Sequence, residues 1–285
     1  MTGAGLPWLE VISGAAPLIV SLPHGGTEIP RSVAPQPASP WLATLDTDWH
    51  VARLYDFAPT LGATVIRTAI SRSVIDVNRD PVGVSLYPGQ PTTELCPRTT
   101  FDGEALYGTA PPPDAAQVAA RREQYYEPYH AALAAEIARL RRRHAAVVVY
   151  DAHSIRSRVP RLFEGELPHF NIGTHTGRSC ARELTAKVES ECCHAPYRRV
   201  TDGRFKGGYI IRHYGRPEDG VHAIQMELAC RAYLREPGPP LAEGNWPPPY
   251  DPDHAADLRG RLRAVLGRCL DFARDAKTLT GRTQR

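Results

Sequence analysis

The sequence predicts an α/β sandwich with helices on both faces of a largely parallel sheet. Three observations predict it. Short apolar runs alternate with stretches of helical spacing along the whole chain. The most apolar run, residues 145–150, is hydrophobic at every position, as expected of a strand covered on both faces. Residues of catalytic type, His24 and His153, follow closely on apolar runs, and ligands in open α/β sheets bind outside the carboxyl ends of the strands.

The elements are read in order. Residues 17–22 form a buried strand, ended by Pro23 and Gly25-Gly26. Residues 46–61 carry Trp49, Leu54, Phe57 and Leu61 at helical spacing, with Asp46 or Asp48 as cap and Gly62 as stop. Residues 63–70 are the next strand. Residues 81–113 are rich in Pro, Gly and Thr without periodicity, so they read as a long loop that covers something. Residues 114–143 are a long helix with Tyr125, Tyr129, Leu133, Ile137 and Leu140 along one face, kinked or split by Pro128. After the strand at 145–150, residues 177–193 are a helix, and 208–213 and 221–228 are two strands. Residues 237–252 are a proline-rich surface connector, and 253–276 a closing amphipathic helix.

The 285 residues show no internal repeat and no linker, so one domain is expected over 1–285. With 42% hydrophobic residues, the chain buries a core without staples. The net charge of +3 is spread along the sequence, whereas nucleic-acid binding calls for a concentrated basic patch. None of Cys96, Cys180, Cys192, Cys193, Cys230 and Cys269 forms a CxxC pair, which argues against a thiolate zinc site and for reduced cysteines. No secretory signal pattern opens the chain and no apolar run is long enough to span a bilayer, so a cytoplasmic protein is expected.

The chemistry concentrates in four places. His24, His153 and a carboxylate from Asp46 or Asp48 make the three-ligand set of a catalytic zinc with a fourth position open for water. Each has a plainer reading alone: a hydrogen-bonded loop histidine, an N-cap aspartate, an Asp151 that only orients His153. Glu227 ends an apolar run and shares a strand face with Gln225, where it could act as general base. Arg72, Asn78 and Arg79 suit an acidic substrate, because a guanidinium fork matches a carboxylate; an Arg–Asp pair tying a loop is the alternative. Lys206 precedes Gly207-Gly208 in a basic turn that lacks the P-loop pattern, and no GxSxG elbow supports a serine hydrolase.

Taken in order, these segments resemble the N-formylglutamate amidohydrolase family. The matching stretches are Pro23-His24-Gly25-Gly26, Asp46-Thr47-Asp48-Trp49-His50-Val51, 71–79, 85–90, 99–103, Tyr129-His130, 151–157, 162–165, 203–210, 213–217 and 220–228. Single motifs such as PHGG are weak, but the ordered set covers most of the chain and is highly specific. The resemblance implies a three-layer α/β/α sandwich with a mixed, largely parallel sheet, zinc-carboxypeptidase-like (phosphorylase/hydrolase-like). It implies Zn2+ or another divalent metal on His24, Asp48 and His153, with Glu227 as catalytic base and Arg72 or Arg156 stabilising the oxyanion. It further implies hydrolysis of N-formyl-L-glutamate, the last step of a histidine degradation route, with Asn78, Arg79, Lys206 and Arg212 binding this small acidic acyl-amino-acid substrate. Hydrolysis of another N-formyl or N-succinyl amino acid, or ligand binding without turnover, are the alternatives. The chain departs from the family in two places. Ala52 stands where an aspartate is common, which leaves Asp48 as ligand with Asp46 in reserve, and Glu28 adds a further candidate carboxylate.

Overall fold

Two strands of nine residues, Val147–Ile155 (β4) and Val221–Ala229 (β7), run side by side and parallel at the centre of the sheet, and every residue in both is buried. The computed structural model describes residues 6–33 and 38–280. In chain order the other elements are Leu9–Ile12 (β1), Leu18–Leu22 (β2), Val51–Leu54 (α1), Thr64–Thr68 (β3), Ala115–Arg121 (α2), Glu127–Arg141 (α3), Phe170–Gly173 (β5), Arg182–Glu191 (α4), Arg199–Thr201 (β6), Tyr209–Tyr214 (α5) and Pro252–Thr280 (α6). The seven-stranded sheet has the order β1-β3-β2-β4-β7-β5-β6. β3, β2, β4 and β7 are mutually parallel, β1 is antiparallel to β3, and β5 is antiparallel to β7 but parallel to β6. The sheet is therefore mixed and mostly parallel, with helices on both faces.

Side-chain alternation sorts the core into two layers. Val148, Tyr150, Ala152, Ile224, Met226 and Leu228 pack with Leu184 and Val188 of α4 and with Leu258 and Leu262 of α6. Val147, Val149, Val221 and Ala223 pack with Tyr129, Leu133 and Leu140 of α3 and with Ile210 and Ile211 of α5. On this second face the apolar character stops partway along the strands. The next positions in register are Asp151 beside Gln225 and His153 beside Glu227. The change of chemistry on one face positions the site.

Four expectations differ from the structure. Residues 208–213 are helix α5, not a strand: Ile210 and Ile211 are both fully buried, which adjacent positions of a half-buried strand cannot be. Residues 46–61 hold only the one-turn α1 and a 3-10 turn at Ala58–Leu61, because His50 takes a left-handed backbone conformation (φ 62°) that delays the helix start. His153 lies within β4, which runs five residues past Tyr150, rather than after it. The long helix is interrupted just before Pro128 and not at it. A π-helical turn, Arg122–Tyr126, joins α2 to α3, and Pro128 falls in the first turn of α3, where its missing N–H coincides with the change in hydrogen-bond register. β1, β5 and β6 were not expected; each is four residues or fewer.

Leu133 is fully buried between α3 and the sheet. Leu133→Ala should lower the unfolding free energy by about 2–5 kcal/mol, read from urea denaturation at constant m-value.

Candidate metal centre and active site

His24 stands two residues past β2, in a turn that brings its carbonyl onto the Asp48 N–H at 3.0 Å. The turn needs a glycine: a Cβ at Gly26 would lie 2.4 Å from the backbone of Ala69 and Ile70. Asp48 precedes α1, and His153 belongs to β4. These three buried residues converge, with one ligand atom from each lying within 4.8 Å of the others.

The orientation of the two imidazoles is set from behind. His24 Nε2 bonds Asp76 Oδ1 at 2.7 Å, and His153 Nε2 bonds Asp151 Oδ2 at 2.8 Å. Both Nδ1 atoms therefore face the same point. Asp48 Oδ2 lies 3.0 Å from His153 Nδ1 and 3.8 Å from His24 Nδ1. The supporting carboxylates are themselves held. Asp76 takes Arg72 Nη2 at 2.7 Å and the Asn78 N–H at 2.9 Å; Asp151 takes Ser21 Oγ at 2.8 Å and Asn78 Nδ2 at 3.0 Å. Ser21 Oγ in turn meets Tyr129 Oη of α3 at 2.9 Å. Asn78 is wedged in place from the other side, since a Cβ at Gly208 would come within 2.4 Å of its amide.

The donor set fits a divalent cation. It has the carboxylate–imidazole–metal pattern in which an outer acid fixes each ring and raises its basicity. Asp48 Oδ1 is buried without a hydrogen-bond partner, and a buried carboxylate oxygen is costly to leave so. Burial and the Arg72 charge hold His24 down at about 4, so its ring is neutral with Nδ1 able to carry a lone pair. His153 goes the other way: burial opposes its charge, but Asp151 and Asp48 prevail and raise it well above the ordinary histidine value. A cation here would take the place of the proton between His153 and Asp48. Burial also opposes the Asp76 charge, yet Arg79, His24 and Arg72 hold that carboxyl well below its usual range.

A small cavity opens over the group. His24 and His153 form its floor with Glu227 and Gln225. Burial, reinforced by the Asp48 carboxylate, pushes Glu227 up to about 8 against the pull of His153 and Arg72. Its lining also includes Arg79 and Arg204, with Tyr87 and Thr93 from the irregular segment 81–113. Arg79 is braced by Thr93 through Nε and Nη2, each at 3.0 Å. Arg204 bonds only carbonyls, those of Leu162 and Pro91 at 2.7 and 2.8 Å, and stacks on Tyr87 and Phe205. Among the described residues it has no ion pair; burial lowers its pKa, with Tyr87 and Glu227 acting against the shift and the neighbouring Arg79 adding to it.

Of the residues singled out in the sequence, His24, Arg72, Asn78, Arg79, His153 and Glu227 line this cavity, and Asp48 sits between the two imidazoles. Three do not line it. Arg156 is clamped between Asp46 at 3.1 Å and Asp102 at 2.7 Å. Arg212 turns its Nε to the Gly207 carbonyl and stacks on the outer side of Tyr87. Lys206 offers its backbone N–H to Tyr87 Oη at 3.1 Å. The reserve carboxylates also lie elsewhere. Asp46 accepts the Phe101 N–H and Arg156, and Glu28 is exposed against the β1 side of the sheet. Asp76, Arg204, Tyr87 and Thr93 were missed. Asp76 lies inside the 71–79 stretch and Arg204 two residues before Lys206, so both were in view without a signal that ranked them.

The fold is a mixed α/β sheet flanked by helices, and its site holds a buried His–Asp–His group that could bind a metal. Residues 16–234 match the N-formylglutamate amidohydrolase family, to which the chain belongs. It is 42% identical over 270 residues to the N-formylglutamate deformylase of Pseudomonas aeruginosa, covering 93% of this chain and 98% of that protein. It is 43% identical over 232 residues to the N-formylglutamate deformylase of Pseudomonas putida, covering 81% and 86%. The crystal structure of N-formylglutamate amidohydrolase from Ralstonia eutropha JMP134 superposes with a TM-score of 0.74 at 26% identity, over 94% of this chain and 99% of that one. The gene product Atu2144 from Agrobacterium tumefaciens shares the fold, with a TM-score of 0.68 at 18% identity over 93% and 95%.

The raised Glu227 makes a signed prediction for the chelated protein. Its folded pKa, about 8, exceeds the ordinary 4.5, so between these values the folded state holds a proton that the unfolded state has lost. Stability should fall as pH rises through this window, by up to about 1.4 kcal/mol per pH unit relative to Glu227→Gln. Denaturant titrations of both proteins from pH 5 to pH 8 measure it; parallel pH profiles would remove the buried-acid reading.

Proposed function

We propose that the protein hydrolyses N-formyl-L-glutamate to L-glutamate and formate as a zinc-dependent cytoplasmic enzyme of one catalytic domain, at the last step of histidine degradation. One observation carries the reading. A single cavity is lined by His24 and His153 of the His–Asp–His group, by the buried acid Glu227 and by the guanidiniums of Arg79 and Arg204, the latter bonded to the carbonyls of Leu162 and Pro91. That combination suits a substrate that carries both a hydrolysable amide and carboxylate. The two Pseudomonas relatives bear the name of this activity.

In this reading His24, Asp48 and His153 hold the metal. When bound, it supplies Lewis-acid polarisation of the formyl oxygen and a more acidic water. Glu227 faces the group from β7; the charge of a bound cation would favour its carboxylate form, which takes the proton of the water as its oxygen attacks the formyl carbon. Glu227 keeps that proton and passes it to the glutamate nitrogen as the C–N bond breaks, so formic acid and a neutral amine form, and the acid's proton then passes to the amine to leave formate and the ammonium form of glutamate. Arg72, held by Asp76 and stacked on Phe101 at 4.8 Å, is placed to meet the negative charge that develops on the formyl oxygen. Arg79 and Arg204 receive the substrate carboxylates. Asn78 acts by position: its Nδ2 donates to Asp151, the acid that holds His153, and its Oδ1 accepts the Ile210 N–H at 2.8 Å. Arg156 serves as the clamp that fixes Asp46 and, through the Phe101 N–H, the loop above Arg72.

Formate release from N-formyl-L-glutamate, before and after chelation and zinc add-back, tests the assignment. Activity that dies with chelator and returns with zinc supports it. Absence of formate from zinc-loaded protein would sink it and call for an acyl-amino-acid panel. Glu227→Gln should lower kcat by about 100- to 10,000-fold with folding intact. Arg204→Ala should raise KM by about 10- to 100-fold, the worth of one charge-assisted hydrogen bond, while leaving kcat nearly unchanged. An Arg204→Ala enzyme with wild-type KM would take Arg204 off the substrate.

A further inference from the structure

Residues 71–80, which supply Arg72, Asp76, Asn78 and Arg79 to the site, contain no helix or strand. Backbone of this kind is held only if something takes its carbonyls. Three do so from one helical rod. Arg121 Nη1 donates to the Val74 carbonyl at 2.9 Å, His130 Nε2 to that of Val77 at 2.8 Å, and Tyr126 Oη to that of Arg79 at 2.9 Å.

The spacing of the donors explains the helix. In an α-helix, residues five apart point about 140° away from each other. Arg121 and Tyr126 are five apart and yet reach the same segment. The π-helical turn at Arg122–Tyr126 lies between them, and its i→i+5 geometry brings such residues closer to one face. Tyr126 and His130, four apart within the following α-helical turn, then share that face in the ordinary way. The turn's own outward residues, Glu123 and Gln124, are exposed.

We infer that Tyr126, which the π-helical turn brings onto one face with Arg121, is a specificity device: it holds the Arg79 carbonyl and so fixes the guanidinium that receives a substrate carboxylate. Arg79 is then held at both ends, its carbonyl by Tyr126 and its side chain by Thr93. Tyr126 is a positioning residue, with no part in bond breaking. The inference rests on the reading of Arg79 as a carboxylate anchor.

The test uses Tyr126→Phe in the zinc-loaded full-length protein, which keeps the ring and removes the hydroxyl. The expected result is a KM for N-formyl-L-glutamate raised about 3- to 10-fold with kcat within about twofold of wild type. Amide hydrogen exchange across residues 76–79 should be faster. Unchanged KM with unchanged exchange overturns the inference, as does a fall in kcat at constant KM. Should wild type release no formate, the substrate assignment fails separately. The exchange data then decide the clamp alone, faster exchange supporting it and wild-type exchange overturning it.

Discussion

Everything in the site depends on two hydrogen bonds made by the far nitrogens of two histidines. Asp76 holds His24 and Asp151 holds His153, each through Nε2, and this leaves both Nδ1 atoms aimed at Asp48. Without those acids the rings would be free to flip, and the Nδ1 atoms would not converge. Several acids are buried together here, a costly arrangement unless each is paired. Arg72 and Arg79 offset Asp76, while Ser21 and Asn78 satisfy Asp151. Asp48 Oδ1 is left without a hydrogen bond, with Arg72 Nη1 3.8 Å away, while its Oδ2 faces both Nδ1 atoms, where a cation would add compensating charge.

The sheet explains why these groups meet where they do. On one face of β4 and β7, valines and alanine give way to Asp151, His153, Gln225 and Glu227 at the carboxyl ends of the strands. The apolar half anchors α3 and α5; the polar half is covered by irregular segments that carry the arginines. α3 contributes to both halves, through Leu133 in the core and through Tyr129, which reaches Ser21 and, behind it, Asp151.

Much of this was legible in the sequence because it rests on local pattern. The central strands, the long amphipathic helices and the irregular character of residues 81–113 follow from apolar periodicity and from proline and glycine content. His24, Asp48, His153 and Glu227 stand near strand ends or turns where such residues are conspicuous. What was not legible depends on tertiary placement. α5 has an apolar run that would serve a strand equally well, and it is the tertiary packing that buries both Ile210 and Ile211 and seats Gly208 against Asn78 that separates the two. The π turn has no sequence signature that separates it from an α-helix. Arginines cannot be ranked from sequence, since Arg156 and Arg212 differ from Arg79 and Arg204 only in which partners the fold supplies.

The central claim is that outer carboxylates fix both imidazoles so that Nδ1, and not Nε2, meets the metal. Nitrogen-15 NMR of histidine-labelled protein during zinc titration tests it most directly. The account predicts that one equivalent of zinc moves the Nδ1 resonances of His24 and His153 to metal-bound positions while both Nε2 atoms stay protonated. Zinc-induced loss of the Nε2 protons, or no change at either ring, would contradict it.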